Sequence, residues 1–318
     1  PQRPRHPPPP ADPPAPPAPP STQAHWHGLG PAAMGCLFAT ALHRVACAIT
    51  WLLRDSDGRE TGPVVVEHPG RASTTELPAA GVDARDPISH LLVTTKAYDA
   101  RHAIASIAHR LRDNSQVLLM MNGMGLANEL RADFPQLDIY SGTTTEGAYR
   151  LAPRHVRHAG QGHTRIGQPG CTVPPAWYRQ WSRAVDSCQW DSNIEEALWL
   201  KLAINCAINP LTAVHACRNG ELASRPELAA QVALLCDEIA LISSAAGQPR
   251  VATDLRRSVD QVIAATADNR SSMLQDVEDG RRTEVDYITG YLINTARDFG
   301  IPAPHNAALL ESIRQIDR

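Results

Sequence analysis

Hydrophobic positions change rhythm once along this chain. Between residue 25 and about residue 190, short apolar runs alternate with stretches whose apolar residues recur every three or four positions. The runs 48–55 (AITWLLRD), 90–97 (HLLVTTKA) and 116–123 (QVLLMMNG) each give way to polar residues or glycine, as buried strands do. The stretches 33–46 (AMGCLFATALHRVA) and 99–113 (DARHAIASIAHRLRD) have helical spacing. Strands joined through helices pair in parallel, so this half predicts an α/β domain built on a parallel sheet. After about residue 190 the strand signal fades. The stretches 193–209 (NIEEALWLKLAINCAIN), 225–247, 254–280 and 284–300 are long helical patterns, and this half is predicted to be all helix. No internal repeat interrupts either half.

The first 20 residues stand outside this rhythm. They contain 12 prolines, which lack a backbone N–H and fix φ, so polyproline II or disorder is expected there. Residues 1–24 are set apart as a proline-rich leader foreign to the folded protein, with a ligand for an SH3-type domain as the alternative. A chain of 318 residues, 43% hydrophobic, can bury the cores of two ordinary domains, here 25–190 and 191–318. Thirty basic and 33 acidic residues, mixed along the chain, leave a net charge of −3. That balance offers no footprint for nucleic acid or a membrane surface and points to small-molecule partners. Seven cysteines without a C-x-x-C pair fit reduced thiols in the cytoplasm better than a disulfide framework or a zinc site, so no metal is expected. No run of 18 or more apolar residues predicts a membrane span, and no charged-then-apolar start predicts a secretory signal.

The segment 27–35, HGLGPAAMG, is a candidate dinucleotide loop with two registers: G-x-G-x-x-A from Gly28, or G-x-A-x-x-G from Gly30. Glycines there let the backbone turn tightly and approach a pyrophosphate whose charge sits at a helix N-terminus. The Gly30 register places Gly35 in the first turns of the predicted helix, where a small residue packs closely on a sheet. It also places Arg54 24 residues after Gly30, near the ~20-residue offset of the group that meets the adenosine ribose. A basic residue there favours the 2′-phosphate of NADP, the adjacent Asp55 would serve NAD, and a charged turn after a strand would serve neither. The preceding stretch AHWHGL (24–29) is polar and aromatic where a central parallel strand is normally rich in Val and Ile.

The second candidate lies in 200–213, LKLAINCAINPLTA. Lys201, Asn205 and Asn209 recur at i, i+4 and i+8 among apolar residues, drifting only ~80° around a helix, so they form one stripe. Buried amides and ammoniums need partners, so such a stripe points to a polar ligand or network, with solvent exposure as the plainer alternative. A lysine suits ketone reduction, because it can stabilise and protonate the oxygen that gains negative charge. Further on, Asn269, Ser271, Ser272 and Glu284 are either further ligand contacts or caps and turns between helices.

Four segments carry a resemblance to a known family: 122–125 (NGMG), 143–150 (TTTEGAYR), 201–222 (KLAINCAINPLTAVHACRNGEL) and 271–290 (SSMLQDVEDGRRTEVDYITG). Together, in order and spacing, they resemble the ketopantoate reductases, over residues 26–317. The resemblance implies a Rossmann-type NADP-binding domain, a helical domain and a cleft between them. It further implies NADPH-dependent reduction of a 2-oxo acid, 2-dehydropantoate, to (R)-pantoate on the way to pantothenate and coenzyme A. By position, Lys201 matches the family's proton donor, and Asn205, Asn209 and Asn219 its substrate contacts. Asn122 matches the asparagine near nicotinamide and substrate, while Asn269 and Ser272 match residues holding the substrate carboxylate. Gly30, Pro31, Ala32, Ala33, Met34 and Gly35 match the cofactor loop, Arg54 the contact to the 2′-phosphate, and Lys96, Ala148 and Glu284 further cofactor contacts. A monomer or homodimer is expected.

The chain departs from that family at the loop. Ala32 stands at the middle glycine and Gly28 at an expected Ile or Val, so Gly28 is expected to loosen the strand. Ala32 is expected to add strain of order 1 kcal/mol if its φ is positive. Alternatives to ketopantoate reduction are a reductase of another 2-oxo acid and a degenerate NADP-binding protein with impaired turnover.

Overall fold

The computed structural model describes residues 24–54 and 62–318, so the leader up to residue 23 and Asp55 lie outside the described residues. The first part of the chain builds β1 (Trp26–Leu29), α1 (Ala33–Arg44), β2 (Ile49–Leu53), β3 (Val64–His68), β4 (Arg71–Thr75), β5 (Ala79–Gly81), β6 (Ile88–Val93) and α2 (Ala97–Ser106). It continues through β7 (Leu111–Leu119), α3 (Leu126–Asp133), β8 (Asp138–Thr144), β9 (Gly147–Ala152), β10 (His155–Gly160), β11 (Thr164–Gly167), α4 (Tyr178–Ala184) and β12 (Cys188–Trp190). Eight of these strands form one sheet in the order β12-β11-β8-β7-β6-β1-β2-β5. Every pairing in it is parallel except β11 against β8. The chain adds strands to one side of β1 and then returns to add β6, β7 and β8 on the other. That reversal opens a crevice beyond the carboxyl ends of β1 and β6, where doubly wound sheets bind ligands.

The three apolar runs form β2, β6 and β7, and the two helical patterns form α1 and α2. The expected helix 99–113 ends early, however, and its tail starts β7. Arg110 turns inward to donate to Asp86 O at 2.8 Å and Gly81 O at 3.3 Å. Ser115 Oγ donates to Ile88 O at 2.6 Å and accepts from Arg112 N at 2.8 Å, pinning the segment to β6.

The polar-looking β1 is buried along its length. Trp26 stands edge-on to Trp177 and Trp181, at centroid distances of 5.2 and 5.7 Å, and so fills the space a branched aliphatic residue would take. Gly28 does not loosen the strand but fits it: a Cβ there would lie 2.6 Å from the Trp51 ring on paired β2. The bulk expected on β1 is supplied by its neighbour.

A second, four-stranded sheet in the order β4-β3-β10-β9 was not predicted from the sequence. It packs on α1 through Val64, Val66 and Val156. β4 and β9 are exposed over most of their length, which leaves no alternation of apolar and polar positions to read.

The rest of the chain is helical: α5 (Ile194–His215), α6 (Glu221–Ser224), α7 (Pro226–Ala245), α8 (Pro249–Ala265), α9 (Ser272–Glu278), α10 (Thr289–Asp298) and α11 (Pro304–Ile316). The expected helix over 254–280 is two helices, because Ser271 Oγ accepts from Leu274 N at 3.0 Å and starts α9 anew. Thr212 of α5 donates to the same oxygen at 2.7 Å. Contrary to the expectation from apolar runs, α5 and α7 are long and apolar enough to cross a membrane. Both contribute to the core of the helical part. The first turn of α11 is held by buried Glu238 of α7, which accepts from His305 N, Asn306 N and Asn306 Nδ2 at 2.8, 2.9 and 2.7 Å.

Candidate active site

The crevice begins at the loop after β1. Gly30 has φ +86°, and a Cβ there would stand 2.6 Å from Thr95 N. Thr94, just past β6, donates from Oγ1 to Gly30 O at 2.6 Å and to Leu29 O at 3.1 Å, locking the loop across the switch point. A Cβ on Gly35 would run into Gly30 O and Thr94 Oγ1, so the helix approaches the loop as the Gly30 register requires. Ala32 is the N-cap of α1 with φ −80°, an extended conformation, which removes the strain expected of it. Pro31 O accepts from Cys36 Sγ at 3.4 Å, and Ala33 and Met34, the first residues of α1, pack half-buried on the core. α1 has neither a side-chain cap nor an acidic residue in its first turn, so its unpaired N–H groups and dipole face the crevice. These features fit a dinucleotide pyrophosphate. Arg54 lies exposed immediately after β2, and Ala148 lies half-buried in β9 against the core that contains α1.

Across the crevice, α5 carries the polar stripe: Lys201 and Asn205 are half-buried and Asn209 is buried. Lys201 Nζ donates to Thr144 O at the end of β8, at 2.9 Å. Burial lowers its pKa to about 8, while the nearby Glu284 opposes the shift. Glu284, between α9 and α10, accepts from Ala97 N at 3.0 Å, Asn122 Nδ2 at 3.3 Å and Lys96 Nζ at 3.4 Å. Lys96 also contacts Asp276 of α9 at 2.6 Å. Burial alone would depress Lys96, but Glu284 and Asp276 outweigh it and raise the pKa above its ordinary value.

The fold therefore brings Lys201, Glu284, Asn122 and Lys96 to one place, although they come from both parts of the chain. Asn219, beyond the end of α5, is buried and donates from Nδ2 to Thr266 Oγ1 at 2.8 Å, while its Oδ1 has no partner among the described residues. Asn269 and Ser272 are exposed, and it is Ser271, not Ser272, that is buried as the cap of α9. Sequence reasoning missed Asp276 and Thr144. Asp276 carried a signal: it falls on the buried face of α9 with Met273 and Leu274, where an acid needs a cationic partner. Thr144 acts through its carbonyl and carried none.

Two family models match the chain: "Ketopantoate reductase PanE/ApbA" over residues 26–170 and "Ketopantoate reductase PanE/ApbA C terminal" over residues 193–317. The chain is 33% identical over 293 residues to 2-dehydropantoate 2-reductase of Vibrio cholerae, covering 91% of this chain and 97% of that protein. It is 38% identical over 296 residues to the protein of the same name from Escherichia coli O157:H7, covering 90% and 93%. Among solved structures, a ketopantoate reductase from Ralstonia eutropha superposes with a TM-score of 0.83 at 24% identity, covering 92% of this chain and 98% of that one. A D-mandelate dehydrogenase solved with NADH and anilino(oxo)acetate shares the fold, with a TM-score of 0.81 at 21% identity and coverages of 92% and 98%.

Proposed function

The chain belongs to the ketopantoate reductase family, and from that premise we propose that it reduces the C2 carbonyl of 2-dehydropantoate to (R)-pantoate, toward pantothenate and coenzyme A, with Lys201 as proton donor. NADPH, when bound, supplies the hydride. The observation that carries the role of Lys201 is its burial beside Glu284, with a pKa lowered to about 8. An ammonium near that value keeps its proton at neutral pH yet gives it up to an alkoxide, and its charge stabilises that oxygen as it becomes negative.

The other assignments follow the same logic. Residues 25–190 hold the cofactor, with Gly30 to Gly35 at the pyrophosphate, Arg54 at the 2′-phosphate, and Lys96, Asn122 and Ala148 as further contacts, while Glu284 reaches it from the helical part. Residues 191–318 hold the substrate, through Asn205, Asn209, Asn219, Asn269 and Ser272, with Asn122 reaching from the other side. Closing the two parts on each other excludes water from the reacting carbonyl. The protein acts on this small molecule in the cytoplasm, as a monomer or homodimer.

Purified protein given NADPH and ketopantoate should form NADP+ and (R)-pantoate in equal amounts. Lys201→Ala should lower kcat by about 10²-fold or more, the scale of a lost general acid. Turnover of another 2-oxo acid in place of ketopantoate would reassign the substrate, and an unchanged kcat in the variant would remove Lys201 from its role.

A further inference from the structure

The loop that follows β7 carries Asn122 into the crevice, and it lies against one turn of the helical part. Within that turn, Tyr287 N donates to Glu284 O at 3.0 Å, and Ile288 N to Glu284 O and Val285 O at 3.1 and 3.3 Å. Buried Val285 and Ile288 anchor the turn in the helical core. It therefore meets the sheet part as one piece, and it does so at two loops. The Glu284 carboxylate accepts from Lys96 Nζ at 3.4 Å and Ala97 N at 3.0 Å beyond β6, and from Asn122 Nδ2 at 3.3 Å beyond β7. The Tyr287 carbonyl, in the same turn, accepts from Met124 N at 3.0 Å.

This last contact depends on a residue without a side chain. Gly123 has φ +86°, and a Cβ there would stand 2.5 Å from Tyr287 O, 2.7 Å from Tyr287 Cβ and 2.9 Å from the Tyr287 carbonyl carbon. Bringing the first of these to ordinary van der Waals contact takes a shift of roughly 1 Å. The turn is anchored, so the loop is the side that gives. It has room to do so: Asn122, Gly123, Met124 and Gly125 all border a cavity of about 100 Å³ whose walls include Leu198 and Tyr291. A loop bordering a cavity is not packed into place from that side, and its position is set by the grip of the turn.

We propose that Gly123 is a positioning residue for the reduction: by letting the loop close onto the Tyr287 carbonyl, it sets where the Asn122 amide meets nicotinamide and substrate. The assignment rests on the ketopantoate reductase reading above and adds to it a residue that acts through another. One turn of the helical part then places both crevice loops, the first through a carboxylate and the second through a backbone carbonyl. A side chain at Gly123 leaves the loop intact but moves Asn122 away from Glu284, into the cavity.

The test is a double-variant cycle on the full chain, with kcat and KM for NADPH-dependent reduction of ketopantoate measured for wild type, Gly123→Ala, Asn122→Ala and the double variant. Gly123→Ala should lower kcat by ~10- to 100-fold, the scale of a misplacement of about 1 Å. In the Asn122→Ala background the same substitution should cost less than about twofold, because the group it displaces is already gone. Equal losses in the two backgrounds would make the effect structural and independent of Asn122, and an unchanged kcat in Gly123→Ala or in Asn122→Ala would remove the role itself; each overturns the proposal. Should Gly123→Ala not fold, amide hydrogen exchange of wild type carries the test: Met124 N–H should exchange at least ~10-fold more slowly than an unstructured amide, and exchange at the unstructured rate overturns the proposal. Wild type that fails to reduce ketopantoate with NADPH overturns the reductase reading instead.

Discussion

In the proposed reaction, the protonation of Lys201 decides direction. With its pKa lowered by burial to about 8, the ammonium form that the proposed proton donation requires is lost as pH rises through that value. Reductive kcat/KM should therefore fall above about pH 8, and oxidation of (R)-pantoate should rise over the same interval. Glu284→Gln removes the negative charge that opposes burial and should move both breakpoints to lower pH, as paired pH–rate profiles would reveal. A Glu284→Gln profile identical to wild type would uncouple the two residues. The stripe of Lys201, Asn205 and Asn209 was legible because helical spacing is a property of the local chain. The contacts around that stripe were not, since Lys201 meets the Thr144 carbonyl across 57 positions and Lys96 meets Asp276 across 180, and no local pattern specifies such contacts.

Strands and helices divide in the same way. The central strands and the long helices announce themselves by apolar periodicity, whereas β1 hides behind a glycine and a histidine because its burial is completed by Trp51 on β2. Restoring the aliphatic residue at Gly28 should consequently do harm: Gly28→Val should destabilise by about 1–3 kcal/mol through overpacking. Trp51→Leu in the same chain should recover much of that loss, so denaturant unfolding of both single variants and the double variant should show strong non-additivity. Simple additivity would mean the two side chains do not compete for one space. At the other end of the chain, α11 depends on a single carboxylate from α7. Glu238→Ala leaves two donors of buried Asn306 and the backbone N–H of exposed His305 without their acceptor. It should cost about 3 kcal/mol, read as a lowered urea midpoint.

For the molecule as a whole, acid tolerance and closure are set by a few charged or chargeable groups. Burial, reinforced by His25 and Arg110, lowers the pKa of His27 from 6.5 to about 4. The unfolded chain thus takes up this proton more readily than the folded one. The contribution is intact above pH 6.5 and is lost as pH falls toward about 4, by roughly 3 kcal/mol. His27→Val should reduce the difference between urea midpoints at pH 7 and pH 4.5, and an unchanged difference would assign the acid loss to other groups. Closure, in turn, rests on Lys96, which reaches from the sheet part to two carboxylates of the helical part with its side chain still 33% exposed. Water and ions can therefore reach one side of this contact. Added salt should weaken this contact, so the radius of gyration should grow and dinucleotide release should quicken with ionic strength. An enzyme built this way carries its sensitivity to cellular salt in the same three side chains that draw its two parts together.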